Sequence, residues 1–368
     1  MVARRLPPLG PNRLTHPDNL LTIFETDQTD PERSAMQREP SDNPIVTEGL
    51  VRRFGAIEAV AGVDLSVGRG EIFGFLGPNG AGKSTMVRML TTLLRPSAGR
   101  ALVGGHDVVG DADAVRRSIG VALQDAAIDP LMTGRELLSL QAVLHGIDKT
   151  EGRRRGDDLL ETVGLTGAAG RRVGTYSGGM KRRLDLALAL VHKPNILFLD
   201  EPTTGLDPNS RIALWDEVRV LNTHSGATVF LTTQYMEEAD QLAGRIAIID
   251  DGRIVAEGTP AELKSRVGDP TLRVVLQSDQ DAVSAEAALL RLGEPVADSP
   301  GHVSIRLAGG ASRVAAAARA LEDAGIQIEG LELRSPTLDD VFHIATGRRL
   351  EGTAAEGAEP EEAQSSAP

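Results

Sequence analysis

Cysteine is absent, aromatic residues make up 3% of the chain, and only 5 of the 39 basic residues are lysine. Without thiols there are no disulfides and no thiolate metal sites, which fits a cytoplasmic protein. No stretch approaches the ~18 consecutive apolar residues of a membrane-spanning helix. The opening segment MVARRLPPLGPNRL has arginines but no apolar run behind them, so no secretory signal is read. A formal net charge of -13 argues against coating nucleic acid, because phosphate binding needs a basic face. No nucleic acid is expected as a partner.

What is present is globular composition, 41% hydrophobic and 25% charged over 368 residues, with room for two domains. Residues 1–44 are polar and proline-rich and read as a disordered extension. Met36 offers a second possible start within it. Residues 348–368 read as a disordered acidic tail. Between the tails, 45–268 alternates short apolar strands with amphipathic helices: EIFGFLG (71–77), IGVALQ (119–124), NILFLDE (195–201), TVFLTT (228–233) and RIAIID (245–250). This predicts an α/β fold with a mostly parallel core sheet. RIAIIDDGRIVAEG is a hairpin turning at Asp251-Gly252, expected as an antiparallel edge, and about 125–176 reads as a helical insert. Residues 269–347 read as a small α+β accessory domain in β-α-β-β-α-β order, without a catalytic constellation.

GPNGAGKST (77–85) follows the strand EIFGFL and precedes a helix with apolar residues at 3.6 spacing. It fits G-x-x-x-x-G-K-[ST] in the strand–loop–helix context of a phosphate loop. Gly77, Pro78, Asn79, Gly80, Ala81 and Gly82 let successive backbone N–H groups turn around phosphate oxygens, at the positive end of a helix. Lys83 is expected on the β- and γ-phosphates, Ser84 on Mg²⁺, and Thr85 completes the loop. Nucleoside triphosphate binding is the expectation. NILFLDEPTTGLDP (195–208) carries the chain through the sheet to Asp200, expected in the Mg²⁺ shell. Glu201 follows and is expected to act on a water in line with the γ-phosphate.

YSGGMKRRLDLALALVHKP (176–194) opens a long helix with a Ser-Gly-Gly turn about twenty residues before the acidic strand. Bracketed by GPNGAGKST and ILFLDEP, it resembles the signature of ATP-binding cassette (ABC) ATPases, P-loop NTPases, over 45–268. The resemblance implies ATP and Mg²⁺ as ligands, with Phe54 stacking on adenine and Gln124 touching Mg²⁺. It also implies that Ser177, Gly178, Gly179 and Asp207 reach the nucleotide of a second copy, in a head-to-tail homodimer. Tyr176 stands where leucine is usual, Met180 where glutamine is usual, and Gln234 where a histidine usually meets the γ-phosphate. An amide can donate to phosphate and accept from water but does not titrate near neutrality, so Gln234 is expected to position the water and Glu201 to take its proton.

TTQYMEEADQLAGRIAIIDDGRIVAEGTPAELK together with SPTLDDVFHIATG (335–347) resembles the daunorubicin-resistance type of ATP-binding subunit. That resemblance implies ATPase activity coupled to drug export through a separate integral-membrane permease, with the chain peripheral on the cytoplasmic face of the membrane. Residues 125–133 are the expected permease contact. Two alternatives are an importer ATPase and a soluble ABC ATPase acting on ribosomes or DNA. One phosphate loop, and only about ninety residues between it and the signature, disfavour the latter. KRR (181–183) and RRRGDD (153–158) read as solvated helix faces, Trp215 as core, and His145 and His192 as surface or packing residues.

Overall fold

The computed structural model describes residues 43–124, 128–297, 299 and 301–348. Nearly all of both expected tails, and 125–127 at the head of the expected permease contact, lie outside the described residues. The chain divides into two units: residues 1–245 with 251–253, and residues 246–250 with 254–368.

The first unit opens with an antiparallel sheet. Strands β1 (Ile45–Phe54) and β2 (Ile57–Val67) form a hairpin in which Phe54 faces Ile57. After β3 (Ile72–Leu76) and helix α1 (Lys83–Leu90), the chain returns to this sheet as β4 (Ala98–Val103) and β5 (His106–Asp107), in the order β2-β1-β4-β5. Helix α2 (Ala112–Ser118) then leads into β6 (Ile119–Ala122).

The segment read as a helical insert forms α3 (Gly134–Leu144) and α4 (Lys149–Thr162), and α5 (Gly178–Leu190) follows it. A Thr133–Glu136 capping box starts α3, and Asp148 caps α4. Tyr176 belongs to its core: the ring is buried and the hydroxyl donates to the Ala168 carbonyl at 2.8 Å. That bond lets tyrosine replace leucine without a stranded polar group. His145 and His192 stack ring on ring, 3.7 Å apart, and burial pushes His192 down to about 4, so the pair packs uncharged near neutrality.

Strand β7 (Ile196–Asp200) leads through α6 (Pro208–Ser225) to β8 (Thr228–Thr233) and α7 (Met236–Leu242). In the first unit the parallel strands run β3-β8-β7-β6, with Leu76 beside Thr233 and Asp200 beside Thr232. Strands β3, β7 and β8 are buried at every position, which is why they read as continuous apolar runs rather than alternations. Phe73, Phe75 and Phe198 surround Phe230 at centroid distances of 5.5–5.7 Å. Trp215 is core, and its indole N–H donates to Glu238 Oε1 at 3.1 Å.

Strands β9 (Arg245–Asp250) and β10 (Arg253–Gly258) form a hairpin whose turn at Asp251-Gly252 takes left-handed backbone at both residues, and residues 246–250 and 254–258 of it open the second unit. After α8 (Pro260–Ser265) come β11 (Thr271–Leu276), α9 (Ala282–Leu289), β12 (Gly293–Val296), β13 (His302–Leu307), α10 (Val314–Asp323) and β14 (Ile328–Arg334). These four later strands form an antiparallel sheet in the order β12-β13-β11-β14. Its inward residues, such as Leu272, Val274 and Ile305, pack with Ala285, Leu289 and Leu321 of the two helices. Helix α11 (Leu338–Thr346) closes the unit behind a Thr337–Asp340 capping box.

Candidate functional site

All four parallel strands end on one edge of the sheet, where ligands of open α/β sheets collect. The phosphate loop leaves β3, Gln124 lies two residues past β6, Asp200 ends β7, and Gln234 follows β8. Strand β8 lies between β3 and β7, so its threonines stand beside both the loop and the acidic residues. Two glycines shape the loop: Gly80 has φ +83°, and Gly82, the residue before α1, has φ +109°. Side chains rarely adopt that backbone, so glycine is what the loop needs at both positions, the second at the N-terminus of α1 where anions bind.

Lys83 is 3% exposed, and its ammonium donates to the carbonyls of Gly77 (2.9 Å) and Pro78 (3.0 Å) and pairs with Glu201 Oε1 at 3.1 Å. Glu201 is 5% exposed and carries φ +47°, an unusual backbone for a residue with a side chain. Such strain costs about 1–3 kcal/mol and persists where the surroundings over-determine it. Here they do. The Glu201 N–H donates to both the carbonyl and the hydroxyl of Thr232, each at 3.1 Å. Its Oε2 accepts from Gln124 Nε2 at 3.3 Å and Thr204 Oγ1 at 3.2 Å.

Asp200 is 2% exposed; its Oδ1 accepts from Thr232 Oγ1 at 2.5 Å and Ser84 Oγ at 3.2 Å. A carboxylate and a hydroxyl sharing one point, with the Gln124 amide nearby, make an all-oxygen donor set suited to Mg²⁺. No group of three His, Cys, Asp or Glu side chains poised for a metal occurs among the described residues. Mg²⁺ takes one or two protein ligands and fills its octahedron with phosphate and water oxygens. Magnesium bound there would neutralise phosphate charge.

The structure therefore brings Lys83, Ser84, Asp200, Glu201 and Gln124 into one hydrogen-bonded cluster. Gln234 is half-buried at the end of the strand carrying Thr232 and Thr233. Phe54 stands at the end of β1, 45% exposed, with the Arg52 guanidinium 4.5 Å over its ring. Ser177 accepts from the Met180 N–H at 3.3 Å as the cap of α5, leaving Ser177 and Gly178 exposed at that helix start. Asp207 caps α6 by accepting from the N–H (3.0 Å) and hydroxyl (2.5 Å) of Ser210. The two helix starts are neighbours, since a Cβ at Gly179 would lie 3.5 Å from Ser210 Oγ.

Sequence reasoning passed over two residues of this region and misplaced two more. Thr232 is the hub between Asp200 and Glu201, yet a threonine in a buried strand reads as ordinary filling. Glu238 is wholly buried on α7, and that burial raises its carboxyl pKa. The reading of KRR as solvated holds for Lys181 alone: Arg182 is 12% exposed at its side chain and Arg183 donates to the Val163 carbonyl at 3.0 Å. The available signal was Asp185, an acid one turn beyond Arg182 and set in the apolar run of residues 184–190.

Residues 60–204 match the family model described as ABC transporter, and residues 258–345 match one described as ATP-binding protein DrrA1-3-like, C-terminal domain. Daunorubicin resistance ATP-binding protein DrrA3 of Streptomyces coeruleorubidus is 48% identical over 307 residues, covering 83% of this chain and 97% of its own. Daunorubicin/doxorubicin resistance ATP-binding protein DrrA of Streptomyces peucetius is 46% identical over 330 residues, covering 89% and 99%. Among solved structures, a dimeric post-hydrolysis ATP-binding cassette bound to ADP and Pi superposes with a TM-score of 0.54 at 27% identity, over 58% of this chain and 98% of that one. The chain belongs to the ATP-binding proteins of ABC transporters, in their daunorubicin/doxorubicin-resistance group, and is an ATPase.

Proposed function

We propose that this ATPase energises the export of a drug or other hydrophobic compound through a separate integral-membrane permease, lying peripherally on the cytoplasmic face. Two copies close head to tail on two Mg²⁺-ATP, and hydrolysis reopens them. Residues 45–268 act as the motor and 269–347 as the accessory domain. No helix among the described residues is long and apolar enough to cross a membrane.

The observation carrying this reading is the buried Lys83–Glu201 pair at the sheet edge, with Ser84, Asp200 and Gln124 around it. Within it, Lys83 and the loop amides from Gly77 to Thr85 bind the phosphates while Ser84, Asp200 and Gln124 orient Mg²⁺. Phe54 offers the ring face not covered by Arg52 to the adenine. Glu201 takes the proton of the attacking water, and Gln234 orients that water against the γ-phosphate. Ser177, Gly178, Gly179 and Asp207 serve the partner copy's nucleotide, a role supported by the exposed helix start at Ser177.

The test is ATP hydrolysis by the purified chain, alone and reconstituted with a candidate permease, against candidate drugs. Drug-stimulated hydrolysis in the reconstituted pair supports export. A pair that hydrolyses ATP with no response to any lipophilic compound, and moves none into vesicles, refutes it.

A further inference from the structure

Arg182 extends from α5, five residues after Ser177, into the interior of the first unit, and its guanidinium reaches three carbonyls on two other backbone segments. Nη2 donates to the carbonyl of Asp200 at 2.6 Å, Nε to that of Pro202 at 2.8 Å, and Nη1 to that of Leu123 at 2.5 Å. Asp185, one turn along the helix, steadies the fork with Oδ2 3.3 Å from Nη1. Two of these carbonyls bracket Glu201, whose φ of +47° makes its segment the strained bend of the site. The third immediately precedes Gln124, whose amide meets Glu201 Oε2.

We propose that Arg182 is a positioning residue for hydrolysis, fastening the helix that begins at Ser177 to both segments that carry Glu201 and Gln124. The proposal rests on the roles assigned above to those two residues. Its geometry is particular to arginine: a rigid planar fork presents donors in fixed divergent directions, whereas an ammonium is a single point on a flexible stem. Three carbonyls on two segments need the fork. A shift of the α5 start then carries the bend at Glu201 with it, and the water-facing carboxylate is in place only when that helix is. Arg182 touches no reacting atom itself. Its neighbour Arg183 bonds instead to Val163 and lies outside this linkage.

The experiment uses the full chain and compares parent, Arg182→Met, Arg182→Lys and Glu201→Gln by kcat, KM, ATP affinity and Tm. Misplacing a catalytic group by a fraction of an ångström lowers kcat by about 10- to 100-fold, while nucleotide affinity stays within about twofold, because Lys83 and the loop are untouched. Arg182→Lys retains the charge and is expected to keep a near-parental Tm without recovering kcat. If Arg182→Met does not fold, Arg182→Lys decides alone. Parental kcat in Arg182→Lys, or kcat, affinity and Tm falling together in Arg182→Met with all three restored by lysine, overturns the proposal in favour of simple structural support. A Glu201→Gln protein as active as the parent refutes the underlying assignment whatever the Arg182 variants do.

Discussion

Replacing Glu201 by glutamine separates two consequences that the buried pair with Lys83 ties together. Both side chains are almost fully out of water, 3% and 5% exposed, at 3.1 Å. Removing one member of such a pair costs about 3–5 kcal/mol when nothing else receives the charge left behind. Here the carbonyls of Gly77 and Pro78 still accept from Lys83, and glutamine keeps an amide oxygen, so the loss in the nucleotide-free protein is about 1–2 kcal/mol. ATP phosphates supply Lys83 with a new anionic partner, and in the parent they compete with Glu201 for it. The substitution therefore tightens ATP binding by roughly the same 1–2 kcal/mol, or about 5- to 30-fold in Kd. Hydrolysis moves the other way, by about 10²- to 10⁴-fold, the contribution of a positioned general base. The assay is titration calorimetry with Mg²⁺-ATP at a protein concentration that keeps the chain monomeric, beside Tm with and without nucleotide and phosphate release under turnover. A variant that binds ATP more weakly at an unchanged nucleotide-free Tm refutes the competition argument; one that releases phosphate within about threefold of the parent refutes Glu201 as base.

Three further outcomes follow from the same geometry. Gln234→Ala, which removes an amide that orients water without exchanging a proton, lowers kcat by about 10-fold or more, leaves ATP affinity near parental and leaves the pH–rate profile unshifted; a titrating shift in the profile, or an unchanged kcat, excludes the positioning role. Phe54→Ala removes one stacking face and raises the ATP Kd by about 5- to 150-fold, as base–aromatic stacking of about 1–3 kcal/mol requires, without lowering the rate at saturation, which nucleotide titration and saturating turnover measure. Burial pushes the Glu217 carboxyl from 4.5 up to about 7, with Arg183 pulling the other way. Between those values the folded chain holds a proton that the unfolded chain has released, so stability falls as pH rises from 4.5 to about 7 and stays lower above it. Glu217→Gln removes that dependence and is more stable than the parent at about pH 8, by at most about 3 kcal/mol, with the advantage gone near pH 4.5 in denaturant titrations; an equal advantage at both pH values refutes the assignment.

The sequence by itself determined the fold class and the nucleotide chemistry, because both are written in local patterns. Continuous apolar runs mark strands buried on both faces, and a glycine loop between strand and helix is a phosphate cradle wherever the chain places it. Asp200 and Glu201 were legible for the same reason, as acids at the exit of an apolar strand. Only the tertiary structure decided which partners each residue has. That Lys83 is paired with Glu201, 118 positions away, depends on β3 and β7 flanking β8, an order no local pattern carries. Thr232 became a hub for the same reason, lying beside Asp200 across two parallel strands. Arg182 shows the limit most clearly, since in sequence it is one member of a basic triplet on a helix. Its function lies in three carbonyls on two segments, and carbonyls are identical in every residue, so the sequence holds no mark of which ones a side chain will meet.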